Sequence, residues 1–599
     1  MKLSDYVMRR IAEQGVRHVF FVPGGAAMHL NDSLGSCAGI TAVANHHEQA
    51  SGIAAEAYAR VTGGLGVCMV TAGPGGTNAV TGVAAAWQDS TPCLFLSGQV
   101  KRADLAGSES GLRQKGVQEI DIVSIVKPIT KYAATIIDPD SIRFHLEKAL
   151  HLATSGRPGP VWLDFPLDVQ PADVQPEKMQ GFVPESAVDD AATIRAGVAR
   201  ALELLRTAER PVILVGNGVR TAGAQTRFLE LVERLGVPVL TTRLGVDLIP
   251  YEHPLCCGMP GVIASRAANF TLQNSDWLLM LGARMDFALI AYAPERLAPR
   301  AHKIMVNIDP AEIRKIGAPI DVPIAADAGR FIDAMLASCA GLPRPDRSSW
   351  LARCGDWKRR YPFALPAELV QGSGLSMYDF SAALSAALDD DDIVLPGNSG
   401  FAAEIFLTAM HARSGQRIFH NKGTGAMGFC QPAAIGACLG GGGRRTVCVD
   451  GDGGFQFNIQ ELETVRRLRL PIKFFVINNA GYASIRASQG GYFNRLVGAD
   501  GTSGLTLPDY VKVAEAYGLE AVRIDGSAVM PARVKAVLDA PGPAVCEVVV
   551  KPDEPRAPRV SSIKRPDGSM ESMPLENMWP FLSPDEMAEN TVRGMHDKQ

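Results

Sequence analysis

The fold is decided by two short apolar runs that each end in polar residues. They read Val447-Cys448-Val449-Asp450-Gly451-Asp452-Gly453-Gly454 and Lys473-Phe474-Phe475-Val476-Ile477-Asn478-Asn479-Ala480-Gly481-Tyr482. Runs of this kind, rich in β-branched and aromatic residues, predict buried strands. Between them, residues 455–470 have apolar side chains at helical spacing, which predicts one helix. The result is a strand–loop–helix–strand unit with polar residues at the carboxyl ends of two parallel strands.

The residue types at these two strand ends indicate a metal-bound anion. Asp452 and Asn479 offer the hard oxygen ligands that suit Mg²⁺ or Ca²⁺. Gly451, Gly453 and Gly454 let the backbone approach an anionic group, and the following helix directs its amino terminus at it. Because Mg²⁺ is usually completed by substrate phosphates, we predict a diphosphate cofactor. Gly-Asp-Gly alone is equally compatible with an ordinary tight turn.

Bulk properties narrow the class of protein. At 599 residues the chain is long enough for several domains, and 47% hydrophobic with 20% charged residues is ordinary for a globular enzyme. A net charge of −4 gives no reason to expect nucleic acid or an acidic membrane surface. The longest apolar runs, such as 277–281, are too short to span a bilayer. Eleven scattered cysteines without a Cys-x-x-Cys motif indicate reduced thiols. We therefore expect a cytoplasmic protein that binds neither nucleic acid nor membrane.

The spacing of strands, helices and loops divides the chain into three similar units. Each unit alternates short apolar runs with helical stretches and has polar or Gly-rich loops after its strands, which is typical of a doubly wound sheet. Segments rich in Pro and polar residues separate the units. We predict an α/β protein with three doubly wound parallel-sheet domains, at 1–170, 190–340 and 376–555, and a tail at 556–599.

Two loops of the first unit complete a recognisable set of motifs. His46-His47-Glu48-Gln49 precedes an alanine-rich helix, and Gly73-Pro74-Gly75-Gly76-Thr77-Asn78 follows about two dozen residues later. By position alone, Glu48 is a solvated residue favoured by the helix dipole. Together with Gly-Asp-Gly and Asn-Asn, however, these loops resemble the thiamine-diphosphate enzymes of the acetolactate synthase and pyruvate decarboxylase superfamily. The resemblance covers nearly the whole chain and is closest to acetolactate synthase-like carboligases.

The resemblance implies roles for particular residues. Residues 1–170 would bind the pyrimidine, with Glu48 bonded to N1′ of the aminopyrimidine. Residues 376–555 would bind the diphosphate and Mg²⁺, the metal being held by Asp452, Asn479 and the carbonyl of Gly481. The further cofactor-binding residues would be Pro74, Asn78, Gly397, Asn398, Ser399, Gly425, Met427, Gly451, Gly453, Gly454 and Tyr482.

The resemblance also implies catalytic residues, an apolar wedge and a lid. Gly25 and Gln118 would be catalytic, with Gln118 near the reacting carbons; the alternative for Gln118 is a surface loop amide. Met427 would be a bulky apolar wedge beneath the cofactor, which is compatible with an ordinary core methionine. The tail at 556–599 would cover the active site as a lid.

The middle unit and the assembly follow from the same resemblance. In acetolactate synthases the matching domain binds FAD, and Arg284, Asp309 and Asp327 would lie along the adenine–ribose path. Many relatives keep this domain empty, but we predict FAD here. The pyrimidine domain of one subunit would face the diphosphate domain of another. The resemblance thus implies a homodimer or homotetramer with active sites at the subunit interface and small-molecule substrates.

Two departures from the family pattern concern the second substrate. Acetolactate synthases carry an Arg four residues after the Arg of Gly-Ala-Arg, which pairs with the carboxylate of the acceptor; this chain has Ala288. They also carry a Trp about nine residues after the second Asn, where this chain has Ser488, although Arg486 could supply a replacement charge. We therefore predict an acceptor other than a 2-oxo acid. The 481–486 stretch and the amino terminus resemble acetyl-transferring relatives that build branched-chain sugars.

These observations predict a thiamine-diphosphate-dependent carboligase. It would decarboxylate a 2-oxo acid, pyruvate, and transfer the acyl unit to an aldehyde or ketone acceptor. An ordinary acetolactate synthase and a simple decarboxylase or lyase are alternative enzymes. A noncatalytic nucleotide-binding scaffold or regulatory subunit is an alternative of a different class, and the joint presence of Glu48, Asp452 and Asn479 argues against it.

Overall fold

Three parallel β-sheets, each flanked by helices, follow one another along the chain. The computed structural model describes residues 1–107, 110–185, 190–341, 345–370, 372, 374–564, 567–568 and 570–591. The three sheets have six, five and six strands, and every strand pair within them is parallel. The predicted α/β fold with three parallel-sheet domains is confirmed. In the described part of the chain, no helix is long and apolar enough to cross a membrane.

The first sheet has the strand order β2-β1-β3-β4-β6-β5. Its strands are β1 His18–Phe21, β2 Thr41–Ala44, β3 Gly66–Val70, β4 Cys93–Gln99, β5 Tyr132–Thr135 and β6 Pro160–Pro166. Its helices are α1 Leu3–Glu13, α2 Met28–Ser36, α3 Glu48–Thr62, α4 Pro74–Gln88, α5 Ile122–Val126 and α6 Ile142–Thr154. The central strands β3, β4 and β6 are buried throughout, as expected for a sheet covered on both faces.

The middle sheet has the order β11-β10-β9-β7-β8. Its strands are β7 Pro211–Val215, β8 Val239–Thr241, β9 Trp277–Leu281, β10 His302–Asn307 and β11 Val322–Ala325. Its helices are α7 Ala191–Thr207, α8 Gly218–Thr221, α9 Gln225–Leu235, α10 Arg266–Gln273, α11 Pro310–Lys315, α12 Ala328–Cys339 and α13 Ser348–Arg360. The strand order reverses next to β7, and ligands of open α/β sheets bind at such switch points.

The third sheet has the order β13-β12-β14-β15-β17-β16. Its strands are β12 Ile393–Pro396, β13 Arg417–Ile418, β14 Thr446–Gly451, β15 Ile472–Asn478, β16 Glu520–Ile524 and β17 Ala544–Val549. Its helices are α14 Met377–Ala387, α15 Leu407–Ala409, α16 Cys430–Gly440, α17 Asp452–Gln456, α18 Glu461–Leu468, α19 Ala483–Phe493, α20 Tyr510–Ala516 and α21 Met530–Asp539.

The single helix predicted over residues 455–470 is wrong. Two helices, α17 and α18, occupy the region and are separated at 457–460. Phe457 is extended and Asn458 has φ +62°, a left-handed conformation that interrupts a right-handed helix. The Asn458 side chain also donates a hydrogen bond to the carbonyl of Gly428 at 2.8 Å. The break therefore connects the loop after β14 to the loop that precedes α16.

Helices α3 and α16 join the first domain to the third. A Cβ added at Gly436 would lie 1.9 Å from the carbonyl oxygen of Ala54, so the two backbones are in direct contact. Glu461 strengthens the junction, because its buried carboxylate accepts hydrogen bonds from Asn45 Nδ2 at 2.9 Å and His46 N at 2.8 Å. The loop that carries Glu48 is thus held against the third domain.

The described part of the tail packs on the middle domain. It forms β18 Arg559–Val560, β19 Ser562–Lys564, β20 Met570–Ser572, β21 Met578–Trp579 and α22 Pro584–Glu589. Leu575 and Met578 are buried, and Asn269 of α10 donates to the carbonyl of Leu575 at 2.8 Å. The last eight residues lie outside the described part of the chain. A lid formed by 556–599 stays a prediction.

Candidate active site

Asp452 is held at the sheet edge where β14 and β15 end. The two strands are neighbours, with Gly451 opposite Ile477, so the residues that follow them meet at one edge. Asp452 Oδ1 accepts from its neighbour Gly453 N at 2.7 Å, and Oδ2 accepts from Asn479 N at 3.1 Å and Gly481 N at 2.9 Å. One carboxylate therefore fixes both loops, which a sequence pattern alone does not reveal.

The same edge contains a buried amide oxygen without a hydrogen-bond partner among the described residues. Asp452 and Asn479 are only 2% and 4% exposed, and Asn479 Oδ1 has no hydrogen-bond partner among the described residues. Burial raises the pKa of Asp452 to about 6, because the ionised form loses solvation. A buried acceptor without a donor is costly unless a cation or water completes it. The donor set, a carboxylate and an amide oxygen, fits Mg²⁺.

The glycines around Asp452 have different neighbours. A Cβ at Gly453 would lie 2.0 Å from a ring carbon of Tyr482, and one at Gly454 would lie 2.7 Å from Asp450 Oδ1. A Cβ at Gly451 would have no protein atom within 4 Å. The first two glycines therefore allow side chains to pack against the loop. Of the three glycines, Gly451 alone has open space on the side where a Cβ would point.

Two further loops of the third domain are joined by Asn398. Its Nδ2 donates to the carbonyl of Ala426 at 2.7 Å, and its Oδ1 accepts from Asn421 N at 2.9 Å. This places the loop of Gly397, Asn398 and Ser399 beside the loop of Gly425 and Met427. Gly397 is packed against Asp450, with its would-be Cβ 2.6 Å from Oδ1, whereas Gly425 has φ +66° and faces open space. Met427 is half-buried in the single chain.

In the first domain, Glu48 starts α3 and is hydrogen-bonded to Asn78 of α4. Asn78 Nδ2 donates to Glu48 Oε2 at 3.0 Å. Pro74 begins α4, after Gly73 at φ +60°. A Cβ at Gly73 would lie 2.8 Å from the carbonyl oxygen of Gln118, so the Gln118 backbone contacts the turn before α4. Gly25 is an exposed residue that opens a short 3₁₀ turn.

Glu119, beside the predicted Gln118, has a role that the sequence analysis missed. Its carboxylate accepts hydrogen bonds from three backbone amides, of Ala106, Lys115 at 2.6 Å and Gly116 at 3.0 Å. These bonds lower the pKa of Glu119 despite the opposing effect of partial burial. Gln118 itself has φ +66°, which a non-Gly residue adopts only when its surroundings enforce it. In the sequence, what pointed to Glu119 was its position directly after the predicted Gln118.

Arg486 does not supply the replacement charge considered from the sequence. Its guanidinium is buried and donates to the carbonyls of Asn479 at 2.8 Å, Ala480 at 3.2 Å and Pro552 at 2.9 Å. It therefore supports the loop after β15. Ser488 is exposed on α19 and donates to the carbonyl of Ile485 one turn earlier.

A cavity of about 680 Å³ opens where the middle domain meets the other two. It is lined by residues of all three domains, among them Arg157, Asn217, Arg284, Asp327 and Lys422. The loop after β7 contributes Asn217 and Gly218, which is where the strand order reverses. The position and the lining are those of a ligand site.

Of the three residues predicted along this cavity, Arg284 and Asp327 line it and Asp309 does not. Arg284 lines it and donates to the carbonyl of Gln88 in the first domain at 2.7 Å. Asp327 lines it and caps α12 by accepting from Arg330 N. Asp309 caps α11 and forms an ion pair with Arg157 at 2.8 Å. The carboxylate of Asp309 is thus committed to an interdomain contact.

Comparison with known proteins defines the class. Three family models match in the order of the three sheets: the N-terminal TPP binding domain of thiamine pyrophosphate enzymes at residues 1–125, their central domain at 198–335, and their C-terminal TPP binding domain at 397–548. The chain is therefore a thiamine-diphosphate-dependent enzyme.

Relatives refine this class. The chain is 32% identical to the probable acetolactate synthase large subunit of Methanocaldococcus jannaschii, over 94% of this chain and 95% of that protein. It is 32% identical to the acetolactate synthase isozyme 1 large subunit of Escherichia coli, over 93% and 95%. It is 34% identical to the acetolactate synthase large subunit of Corynebacterium glutamicum, over 99% and 93%. The chain belongs to the acetolactate synthase-like thiamine-diphosphate enzymes, which confirms the resemblance.

Proposed function

We propose that the chain uses thiamine diphosphate and Mg²⁺ to decarboxylate pyruvate and to transfer the acyl unit to an aldehyde or ketone acceptor. The observation that carries this proposal is the β14–β15 edge, where Asp452 fixes both loops and Asn479 Oδ1 is buried without a protein partner. Asp452, Asn479 and the carbonyl of Gly481 would hold Mg²⁺ there.

The loops around this edge would hold the cofactor. Backbone groups at Gly451, Gly453 and Gly454 and the loop of Gly397, Asn398 and Ser399 would surround the diphosphate, close to the amino end of α17. Tyr482 would pack beside it through its contact with Gly453. Gly425 and Met427 would support the thiazolium, joined to the diphosphate loop by Asn398.

Glu48 would hold and move a proton at N1′ of the pyrimidine, and Asn78 would orient it through the 3.0 Å hydrogen bond. Bound thiamine diphosphate supplies the stabilised carbanion chemistry of decarboxylation and carbon–carbon bond formation. Pro74 would border the pyrimidine, and Gly25 and Gln118 would face the substrates. Glu119 would keep Gln118 in place through its three backbone bonds.

The acceptor would differ from the 2-oxo acid that an acetolactate synthase uses. Ala288, at the position of the carboxylate-binding Arg, has no charge, and Ser488 is a small exposed residue in place of Trp. The guanidinium of Arg486 donates its hydrogen bonds to the backbone carbonyls of Asn479, in the loop after β15, and of Pro552. An ordinary acetolactate synthase is the second candidate, favoured by the names of the relatives.

The cavity at the middle domain supports FAD as a further ligand. Its volume and its position at the switch point beside Gly218 suit a dinucleotide, with Arg284 and Asp327 in its wall and Asp309 nearby. The absorption spectrum of the purified protein tests this proposal. The blue-light absorption band of oxidised flavin is expected, and its absence would contradict bound FAD.

A homodimer or homotetramer would complete the active site. Glu48 and Asp452 belong to different domains, and the proposed chemistry needs both at one cofactor. In the family that the chain resembles, the pyrimidine domain of one subunit faces the diphosphate domain of another, and the same arrangement is proposed here. Sedimentation of the holoenzyme tests this assembly, and an active monomer would refute it.

One assay tests the catalytic proposal. Protein with pyruvate, thiamine diphosphate and Mg²⁺ is incubated with and without a panel of aldehydes and ketones, and CO₂ and products are followed by mass. Acetyl adducts of the acceptors with little acetolactate are expected. Abundant acetolactate from pyruvate alone would identify an acetolactate synthase, and free aldehyde alone would identify a decarboxylase.

A further inference from the structure

The loop directly before Glu48 is held by a buried carboxylate of the third domain. Glu461 begins α18 and is 0% exposed, and its Oε1 accepts a hydrogen bond from His46 N at 2.8 Å. Its Oε2 accepts from Asn45 Nδ2 at 2.9 Å and from Thr464 Oγ1 at 2.8 Å. Two of these three donors belong to the loop that joins β2 to α3, so Glu461 fixes the place where α3 starts.

Burial makes this contact restrictive. A carboxylate that water does not reach is costly unless hydrogen-bond donors satisfy it. If the loop moved away, the Glu461 carboxylate would stay buried with Thr464 as its remaining donor. The energetic cost of that state opposes movement of the loop more strongly than a solvent-exposed ion pair would.

Asn45 extends the contact from α18 to the helix that carries Glu48. While its Nδ2 donates to Glu461, its Oδ1 accepts from Ser51 Oγ at 3.3 Å. Ser51 is fully buried in the first part of α3. The side-chain amide of Asn45 therefore joins α18 of the third domain to α3 of the first.

Two further contacts join the third domain to the same segment, and both are weaker restraints. Arg467 of α18 donates to the carbonyl of Ala44 at 2.7 Å, but its side chain is exposed. Asn458 Nδ2 lies 3.5 Å from Gln49 Oε1, at the outer limit of a hydrogen bond. Glu461, buried and bonded at 2.8 and 2.9 Å, is therefore the principal polar tether of the loop.

We propose that Glu461 is a positioning residue for Glu48 in the proton relay. It acts through the loop residues Asn45 and His46. Asn78 restrains the Glu48 carboxylate itself, whereas Glu461 sets the backbone from which that carboxylate projects. A proton passes only between atoms within hydrogen-bond reach, so a displacement of about 1 Å can slow the step about 100-fold. The inference rests on the proposed carboligase function and deepens it.

Glu461→Gln is the first test, because an amide nitrogen cannot accept the hydrogen bond of the Asn45 amide. Exchange of the C2 proton of thiamine diphosphate in the holoenzyme is expected to slow about tenfold or more, and kcat for CO₂ release should fall with it. KM for pyruvate and the affinity for thiamine diphosphate are expected to change less than about threefold. Glu463→Gln, at a surface carboxylate of the same helix paired with Arg466, should alter none of these quantities.

A reciprocal double variant separates this hydrogen bond from a general loss of stability. In Asn45→Asp with Glu461→Gln, the new amide donates to the new carboxylate, and one negative charge stays at the same buried place. Ser51 and His46 each keep an acceptor. C2 exchange is expected to return to within about threefold of the wild type. Asn45→Asp alone brings two carboxylates together and should slow the exchange at least as much as Glu461→Gln.

Hydrogen exchange of the apoprotein gives a readout that needs no cofactor. Mass spectrometry of peptides that cover residues 41–52 is expected to show faster amide exchange in Glu461→Gln than in the wild type, because the His46 amide loses an ionised acceptor. The double variant should regain the protection, and Glu463→Gln should keep it. Equal protection in the wild type and in Glu461→Gln would overturn the proposal.

Failure of the carboligase proposal has a separate signature. If wild-type protein does not accelerate C2 exchange over that of free thiamine diphosphate, the function fails and the relay fails with it. If the wild type accelerates the exchange and Glu461→Gln does so equally, the positioning role alone is overturned. A loss in Glu461→Gln that the double variant does not restore, or that an equal loss of cofactor affinity accompanies, overturns it as well. If Glu461→Gln does not fold, the double variant decides in the same way.

Discussion

Asn78 of α4 donates its side-chain amide to Glu48 Oε2 of α3 at 3.0 Å, which joins the starts of two neighbouring helices at the sheet edge. Glu48 is only half-buried in the single chain, so this bond is what fixes its carboxylate. A side chain that must present a proton at one atom of a cofactor needs such a restraint.

Glu48→Gln is expected to slow exchange of the thiamine-diphosphate C2 proton at least about 100-fold, because an amide cannot relay a proton. Cofactor affinity is expected to change little, since the glutamine keeps an oxygen for Asn78. Proton NMR of the exchange in deuterated buffer measures the effect. Glu463→Gln, at a surface carboxylate paired with Arg466, is the control. Unchanged exchange in the Glu48 variant would refute the relay.

Asp452→Asn is expected to weaken Mg²⁺ binding by about 100-fold or more, since it removes the negative charge from the proposed metal site. It also disturbs the loops, because one amide group cannot accept from Gly453, Asn479 and Gly481 as a carboxylate does. Titration of cofactor binding with Mg²⁺, followed by tryptophan fluorescence, gives the affinity. Asp539→Asn on the surface is the matched control; equal Mg²⁺ dependence in both variants would contradict the assignment.

Glu119→Gln is expected to loosen the turn that carries Gln118, because three backbone amides lose an ionised acceptor. Carboligation should fall about tenfold while cofactor affinity changes less than about twofold. Limited proteolysis should cut within 102–119 faster than in the wild type. Glu13→Gln removes a surface charge of the same kind and should alter neither readout. Slower cofactor binding with an intact loop would argue against this positioning role.

Asp164, buried in β6, makes the stability of the first domain depend on pH. Burial raises its pKa from 3.8 to about 7, although Ser97, Gln99 and Thr135 donate hydrogen bonds to it. Its folded-state pKa exceeds the unfolded value, so its contribution is complete below pH 4 and is lost as the pH rises through 7. At about 1.4 kcal/mol per pH unit, the loss approaches about 4 kcal/mol.

The measurement for Asp164 is the urea midpoint of the apoprotein by circular dichroism at pH 5 and pH 8. The wild type is expected to have the lower midpoint at pH 8, and Asp164→Asn is expected to remove most of that difference. A midpoint difference that persists in the variant would assign the pH dependence to other groups.

Gly436→Ala is expected to cost about 3 kcal/mol of stability, the upper range for overpacking. Its Cβ would lie 1.9 Å from the carbonyl oxygen of Ala54, and backbone atoms cannot move aside as a side chain can. Gly490→Ala, in α19 with no atom within 4 Å of its would-be Cβ, should be neutral or slightly stabilising. Thermal unfolding of the two variants checks the contrast, and equal melting temperatures would refute close α3–α16 packing.

Local sequence patterns were sufficient for the sheets, because the strands of buried parallel sheets are short apolar runs with polar residues at their ends. They were insufficient where a single residue interrupts the pattern. The apolar positions Phe455, Ile459, Leu462 and Val465 keep helical spacing, yet Asn458 in a left-handed conformation divides the segment into two helices. Its bond to Gly428 is a tertiary contact that periodicity does not encode.

The sequence by itself determined the three α/β domains, the family and the residues at the strand ends, because these depend on periodicity and on residue types at short spacing. Only the tertiary structure decided what those residues contact. In the folded chain, the Arg486 guanidinium binds the backbone of the loop after β15 and the Glu119 carboxylate accepts hydrogen bonds from three backbone amides. Arg157, Arg284 and Lys422, from three domains, line one cavity. Such contacts join residues distant in the chain, and their geometry depends on how whole domains pack.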